Sequence, residues 1–262
     1  MTDINKYQSC LYNDEVLNLY DLKYEFQNNK KETMEKYRDN LRCPGCNIAQ
    51  LGINENKNGI YLSAYPRSIH RDNCEYSAKP ASKKELVAFY ETINPDAAQR
   101  MLERILEDRP HRLVENRNQN ILNNDRDNND VRFVLENEDG NRKYLPRISL
   151  QLRDLKTLNY LVMYYGLCNL VLLKSNWGSY YLRIFRNNDT REYLCDLNIS
   201  TNVFHFLENE LNFIPIAREF SLDNSREIAV RAKIAFVAKI YKKDSYFHGS
   251  ITHSKLLKII RP

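Results

Sequence analysis

Cys43, Cys46, His70 and Cys74 are the residues of this chain whose types and spacing could do chemistry. They read C-P-G-C, then 23 residues, then H-R-D-N-C. The first pair flanks a Pro-Gly turn. The second pair lies four residues apart, so each pair can converge from a single turn or short helix. Three soft sulfurs and one imidazole in this order match the donor set of a tetrahedral Cys3His zinc site. A redox reading of Cys43 and Cys46 would need a strand–CxxC–helix arrangement in a βαβ pattern. After Cys46 the chain instead enters a short strand-like run, 47–51, ending at Gly52.

Four ligands close the coordination shell, whereas catalytic zinc keeps a position open and a carboxylate nearby. The deaminase signature places H-x-E ahead of P-C-x-x-C. Here the order is reversed, and Asp72 stands two residues after His70. No H-E-x-x-H occurs. The expected cofactor is therefore a structural Zn2+, which would hold together a module with too little core to stand alone.

The elements around these ligands are short. Residues 10–17 read as a hairpin, with two apolar runs flanking the turn former Asn13-Asp14. Residues 25–40 are charged and helix-permissive. Strands are expected at 48–53 and 60–64, joined by a turn over 54–59. Residues 82–109 are helical in pattern. Ser82 and Glu85 form a capping box, Leu86, Phe89, Tyr90 and Ile93 make an apolar stripe, and Pro95 opens a second helix that Pro110 stops. Residues 116–130, rich in Asn, Asp and Arg, read as a linker. The expected organisation is a zinc module over 1–80, a helical hairpin connector over 81–115, the linker, and a further domain over 131–262.

The charge is uneven. The net value is +5, yet residues 141–262 carry 19 Lys and Arg against 10 Asp and Glu. A basic C-terminal half favours phosphate-bearing partners. The opening Met-Thr-Asp-Ile-Asn-Lys lacks a signal-like apolar run, and metal-spaced cysteines suit a reducing compartment. The longest apolar stretch, 158–173, is interrupted and short for a bilayer. The expected setting is cytoplasmic, without a membrane.

In that basic half, runs at 160–165 and 170–174 are separated by Gly166 and read as one long bent strand. Strands at 180–186 and 193–199 follow, then a helix at 203–211, then strands at 228–240 and 251–260. This order is that of a five-stranded OB-like β-barrel, which makes the fold class α+β. Such barrels bind oligonucleotides on the strand 2–3 face and between the 1–2 and 4–5 loops. The 1–2 loop here offers Lys174 and Trp177, and the 4–5 loop Lys242, Lys243, Tyr246, Phe247 and His248. Strict alternation in the second strand puts Leu182 and Ile184 inside and turns Tyr181, Arg183 and Phe185 outward, a row suited to stacking and phosphate contact. The other reading of that row is burial, against the connector or a partner subunit. Glu192 and Asp196, outward by the same alternation, oppose phosphate.

The N-terminal third resembles the zinc-binding N-terminal module of competence protein CoiA-like proteins. The resemblance rests on the hairpin at 9–19, on Leu41-Arg42-Cys43-Pro44-Gly45-Cys46, on the strand at 59–64 and on the 66–76 segment around His70 and Cys74. It covers about residues 8–78. It is to a variant, because H-x-x-x-C stands in place of the family's H-F-x-H segment. The family continues into a nuclease-like domain. The nearest acidic residues here, Glu136, Glu138 and Asp139 ahead of Lys143, make no convincing catalytic set. The resemblance implies biology linked to DNA, of the mobile-element or defence kind.

The expectation is a non-enzymatic nucleic-acid-binding protein that favours single strands, since no recognition helix with a basic N-terminal face is visible. A scaffold or accessory subunit with a protein partner is the alternative, and a metal-dependent nuclease the third reading.

Overall fold

A computed structural model describes residues 6–56, 59–71, 74–107, 134–136, 142–151, 155–158, 160–219, 221–251 and 254–261. The chain is mixed α+β and strand-rich, with six α-helices among the described residues. None of these helices is long and apolar enough to cross a membrane. The chain divides into two compact units: Met1–Pro80 with Asp108–Leu145, and Ala81–Glu107 with Pro146–Pro262. This division differs from the one read from sequence. The helical pair expected as a connector belongs to the second unit, and the strands at 134–144 belong to the first. The expected linker, 116–130, lies outside the described residues.

In the first unit, β1 (Ser9–Tyr12) and β2 (Glu15–Asn18) form a hairpin. Its turn residues Asn13 and Asp14 both adopt positive φ, 51° and 65°. Asx residues tolerate that conformation, and it matches the twist of the strands they join. Helices α1 (Leu19–Asn28) and α2 (Lys30–Tyr37) come next, starting earlier than the expected 25–40. They meet at Asn29, whose side chain accepts from the Glu32 amide as an N-cap. β3 (Leu41–Arg42), β4 (Gln50–Asn56) and β5 (Gly59–Ala64) complete an antiparallel sheet of order β2-β1-β3-β4-β5. A second, three-stranded sheet joins β6 (Lys79–Pro80), β7 (Val134–Glu136) and β8 (Arg142–Tyr144) in the order β6-β8-β7.

In the second unit, α3 (Lys83–Thr92) begins with the expected Ser82/Glu85 capping box. In α4 (Pro95–Leu106), Pro95 sits in the first turn and Asn94 caps the end. The buried face of α4, Ala98, Met101, Leu102 and Leu106, packs against strands of its own unit. There Lys258 meets Glu103 at 2.6 Å, and the Gln99 side-chain amide donates to the Lys255 and Leu257 carbonyls.

The main sheet comprises β9 (Arg147–Ser149), β10 (Val162–Lys174), β11 (Tyr180–Arg186), β12 (Tyr193–Ile199), β13 (Ile216–Ala217), β14 (Val230–Lys243), β15 (Tyr246–Ser250) and β16 (Leu257–Ile260). α5 (Thr201–Asn209) and α6 (Leu222–Glu227) lie in the connection from β12 to β14. β10 is continuous, as expected, and pairs on both sides: with β14 over Val162–Leu170 and with β11 over Cys168–Lys174. The pairings run β10–β11–β12–β15–β14 and return to β10, with β12 and β15 parallel.

One strand is not where the alternation put it. The partner that continues the β12–β14 side is β15 at Tyr246–Ser250, not a strand over 251–260. The stretch read as a loop is a hairpin in which Lys243 faces Tyr246 across a two-residue turn, with Asp244 at φ 53°. Its exposed Lys and Tyr side chains hide a strand because they lack the apolar alternation that marks a half-buried one. β16 is a separate short strand on the other edge of β14.

Candidate metal centre

The four ligand candidates come from two loops of the first unit. Cys43 directly follows β3, and Cys46 lies in the turn toward β4. His70 and Cys74 come after β5, just ahead of a 3-10 turn at Glu75–Ser77. The Cys43–Cys46 knuckle is closed by its backbone: the Asn47 amide donates to the Cys43 carbonyl at 2.9 Å, and the Cys43 amide to the Ala49 carbonyl at 2.7 Å. Asn47 takes φ 52° to make this turn. The Gly45 amide points at the Cys43 sulfur, 3.4 Å away.

All four donor atoms lie within 4.8 Å of one another. Cys43 Sγ and Cys74 Sγ are 3.7 Å apart. His70 Nδ1 is 3.6 Å from Cys46 Sγ and 3.4 Å from Cys74 Sγ. Zinc–sulfur bonds of about 2.3 Å and zinc–nitrogen bonds of about 2.0 Å, set tetrahedrally, give S···S near ~3.8 Å and S···N near ~3.6 Å. The four residues therefore fit a small tetrahedral cation, and the sulfurs are too far apart for disulfides.

The electrostatics point the same way. Cys43, Cys46 and Cys74 are buried and share hydrogen bonds. Contacts with the Cys43 and Cys74 thiols pull the Cys46 pKa far down, while contacts with Cys46 and Cys74, with burial, push Cys43 far up. For Cys74, the contact with Cys43 lowers the value, but the Cys46 contact and burial outweigh it and leave it at about 11. Three thiols crowded this way hold protons only at each other's expense, and a cation relieves that conflict.

A further residue, which sequence reasoning missed, orients the histidine. Tyr7 Oη lies 3.0 Å from His70 Nε2. With Nδ1 on a metal, the Nε2 proton would be donated to that oxygen, which would fix the tautomer and the ring. Burial, then the neighbouring Cys43 and Cys74, raise the Tyr7 pKa, so the phenol stays neutral. Its ring stacks on Tyr76 at 5.1 Å, and Tyr76 in turn packs against Gly45. Nothing local could have flagged Tyr7, which is 63 residues from His70.

In the second unit, the structure separates the residues expected to touch nucleic acid. Trp177 is 94% exposed, at the tip of the β10–β11 turn beside exposed Lys174. That turn is ordered: the Ser175 amide donates to the Ser179 carbonyl, the Gly178 amide to the Ser175 carbonyl, and the Ser179 amide to Ser175 Oγ. Lys242, Lys243, Tyr246 and Phe247 lie on the β14–β15 hairpin, with Phe247 half-buried and the other three exposed. The outward row of β11 needs correcting. Leu182 and Ile184 are inside, as alternation requires, but Phe185 is fully buried and Arg183 nearly so.

Residues 213–219 and 221–229 cover this outer row. β13 pairs with the end of β10, and Ile216, Leu222 and Ala229 pack with Tyr181, Tyr193, Val171, Leu173 and Phe185 into a second small core. Arg183 Nε and Nη2 hold both oxygens of Asp196 at 3.0 and 3.1 Å, and Nη1 donates to Ser225 Oγ of α6. Arg218 lies 3.8 Å over the Tyr181 ring. Arg183 and Phe185 therefore cannot meet a ligand here, and Tyr181 is half-covered. Phe185 and Arg183 are buried and Tyr181 is not, and the cover is the chain's own segment rather than the connector or a partner subunit expected in the burial reading. Of the acidic residues weighed for a nuclease, Glu138 and Asp139 lie outside the described residues and Glu136 lies on β7.

Comparison of the chain with protein-family models, with curated proteins and with solved structures finds no match.

Proposed function

We propose that this is a non-enzymatic nucleic-acid-binding protein in which a structural Zn2+ staples the first unit and an OB-like barrel in the second unit binds single-stranded DNA or RNA. Cys43, Cys46, His70 and Cys74 would hold the zinc. A closed four-ligand shell supplies a cross-link, with no open position for substrate. The cycle of strands, with α5 between its third and fourth members, supports the barrel reading.

The observation that carries the binding reading is Trp177. An indole held almost wholly in water by an ordered, hydrogen-bonded turn, beside a lysine, is a platform for base stacking. The resemblance of residues 8–78 to CoiA-like modules agrees with a DNA-linked role. The test is titration of labelled single- and double-stranded oligonucleotides across a salt series. Affinity for single strands should fall steeply with salt. Trp177→Ala should weaken it by ~1–3 kcal/mol and leave the unfolding midpoint unchanged. Absence of binding at low salt would end the proposal.

One observation favours an accessory-subunit role instead. A groove of about 300 Å³ lies between α4, α5 and β16, with half-exposed Phe206 at its edge. Recovery of a stoichiometric protein partner after nuclease treatment would support that alternative.

A further inference from the structure

Residues 213–219 and 221–229 cover the outer row of β11, but among the described residues the same sheet surface continues past them uncovered. Across the β14–β15 hairpin, Lys239 pairs with Ser250, Tyr241 with His248, and Lys243 with Tyr246. Directly opposed residues project from one face. The alternate pair, Ile240 and Gly249, is buried, and a Cβ on Gly249 would meet Ile240 Cδ1 at 2.7 Å. The pleat therefore turns Lys239, Tyr241, Lys243, Tyr246 and His248 outward together. Lys239 and Lys243 are exposed, Tyr241 is 42% and Tyr246 45% exposed, and His248 is half-buried.

Three features give this strip a chemical character. First, it is cationic. Neither lysine forms an ion pair among the described residues. The adjacent acid on β12, Asp196, which pairs in register with His248, is already neutralised by Arg183. Arg218, at the border of the covering segment, adds a third positive charge near His248. Second, it is aromatic without being aliphatic. Tyr241 and His248 sit side by side at 5.9 Å, and Tyr246 is braced edge-on by Tyr193 at 5.4 Å. Third, it is linear. Lys239 and Lys243 are separated by ~13 Å at about 3.3 Å per residue, with a ring between them. Alternating cations and π-faces along an extended line match an unpaired nucleic-acid strand, whose phosphates and bases alternate in the same way. An apolar protein partner would find no aliphatic side chain in the set.

We propose that the strip Lys239–Tyr241–Lys243–Tyr246–His248 is the track on which the second unit holds a single-stranded nucleic acid, in place of the covered β11 row. This rests on the nucleic-acid reading above and adds where the strand lies. Burial first, and the nearby Arg218 and Lys243, lower the His248 pKa against the opposing effects of Asp196 and of Asp244 in the hairpin turn, which leaves a neutral ring for stacking at neutral pH.

The experiment is binding of fluorescein-labelled oligo-dT to the full chain over a salt series, with Lys239→Gln/Lys243→Gln, Tyr241→Ala/Tyr246→Ala and Trp177→Ala. Loss of two phosphate contacts should lower the slope of log K against log salt by about 1.4. Loss of two stacking rings should weaken binding at least tenfold with the slope kept. Photo-crosslinking of bromodeoxyuridine-substituted oligonucleotide to the wild type should label the peptide spanning 239–248, a readout independent of whether the variants fold. If the wild type binds and responds to Trp177→Ala, but the strip variants keep wild-type affinity and slope and the crosslinks map elsewhere, the track is wrong while the nucleic-acid reading stands. If the wild type binds no oligonucleotide, both fall together.

Discussion

Gly45 is a position at which a single methyl group should disturb the candidate metal centre. A Cβ built there would lie 2.8 Å from Tyr76 Cδ2, 3.1 Å from Cε2 and 3.3 Å from Cys74 Sγ. Carbon atoms rest at about 3.5–4.0 Å, so Gly45→Ala demands a displacement of ~0.7–1.2 Å. The Tyr76 ring has little room to yield. It is 3% exposed and lies between Tyr7, stacked at 5.1 Å, and Tyr144 at 5.7 Å. Moving it shifts Tyr7, and Tyr7 holds His70. Moving the knuckle instead disturbs the Gly45 amide that faces Cys43 Sγ. Overpacking of this kind costs ~1–3 kcal/mol, and disturbing the partner of a ligating histidine costs about 10–100-fold in metal affinity. Zinc affinity by competition with a chromophoric chelator, and urea unfolding of the zinc-loaded protein, read the two effects. Wild-type values in both assays would refute the reasoning, because Tyr76 could not then be the wall behind the knuckle.

Three further outcomes are expected from the same structure. Chelation of the zinc-loaded protein should unfold the first unit, whose folding free energy would include the ~10–16 kcal/mol seen for small zinc modules, and leave the second unit's strands intact; hydrogen exchange resolved by segment would check this, and uniform protection would contradict it. Tyr7→Phe removes only the oxygen facing His70 Nε2, so metal affinity should drop by about 10–100-fold in chelator competition while the ring stack on Tyr76 survives. Asp196→Ala strands the buried Arg183 guanidinium and should cost ~3–5 kcal/mol in chemical denaturation, whereas Arg183→Met/Asp196→Leu should recover most of it; equal losses in single and double variants would show that the cost does not come from an unpaired buried charge.

Much of the local structure is legible in the sequence because its causes are local. The C-P-G-C and H-x-x-x-C spacings let each ligand pair converge within a single turn. Asn13-Asp14 reads as a turn because few other side chains accept positive φ at consecutive positions. Ser82 with Glu85 reads as a helix start because both groups satisfy amides within one turn. Alternation in β11 correctly puts Leu182 and Ile184 inside. The hairpin tip reads wrongly as a loop because, beyond Ile240, Tyr241, Lys242 and Lys243 are all exposed and carry no apolar alternation.

Alternation says which side chains share a face, but not whether another segment lies on it. That was decided by contacts between residues far apart in the chain: Arg183 with Ser225, the Val171–Leu173–Phe185 cluster with Leu222 and Ala229, and Tyr7 with His70. Each depends on where the backbone returns after tens of residues, and no local spacing encodes that. The donor set for a metal was therefore determined by sequence. The histidine's partner, the cover over one row of the sheet and the open row beside it were decided only by the tertiary fold.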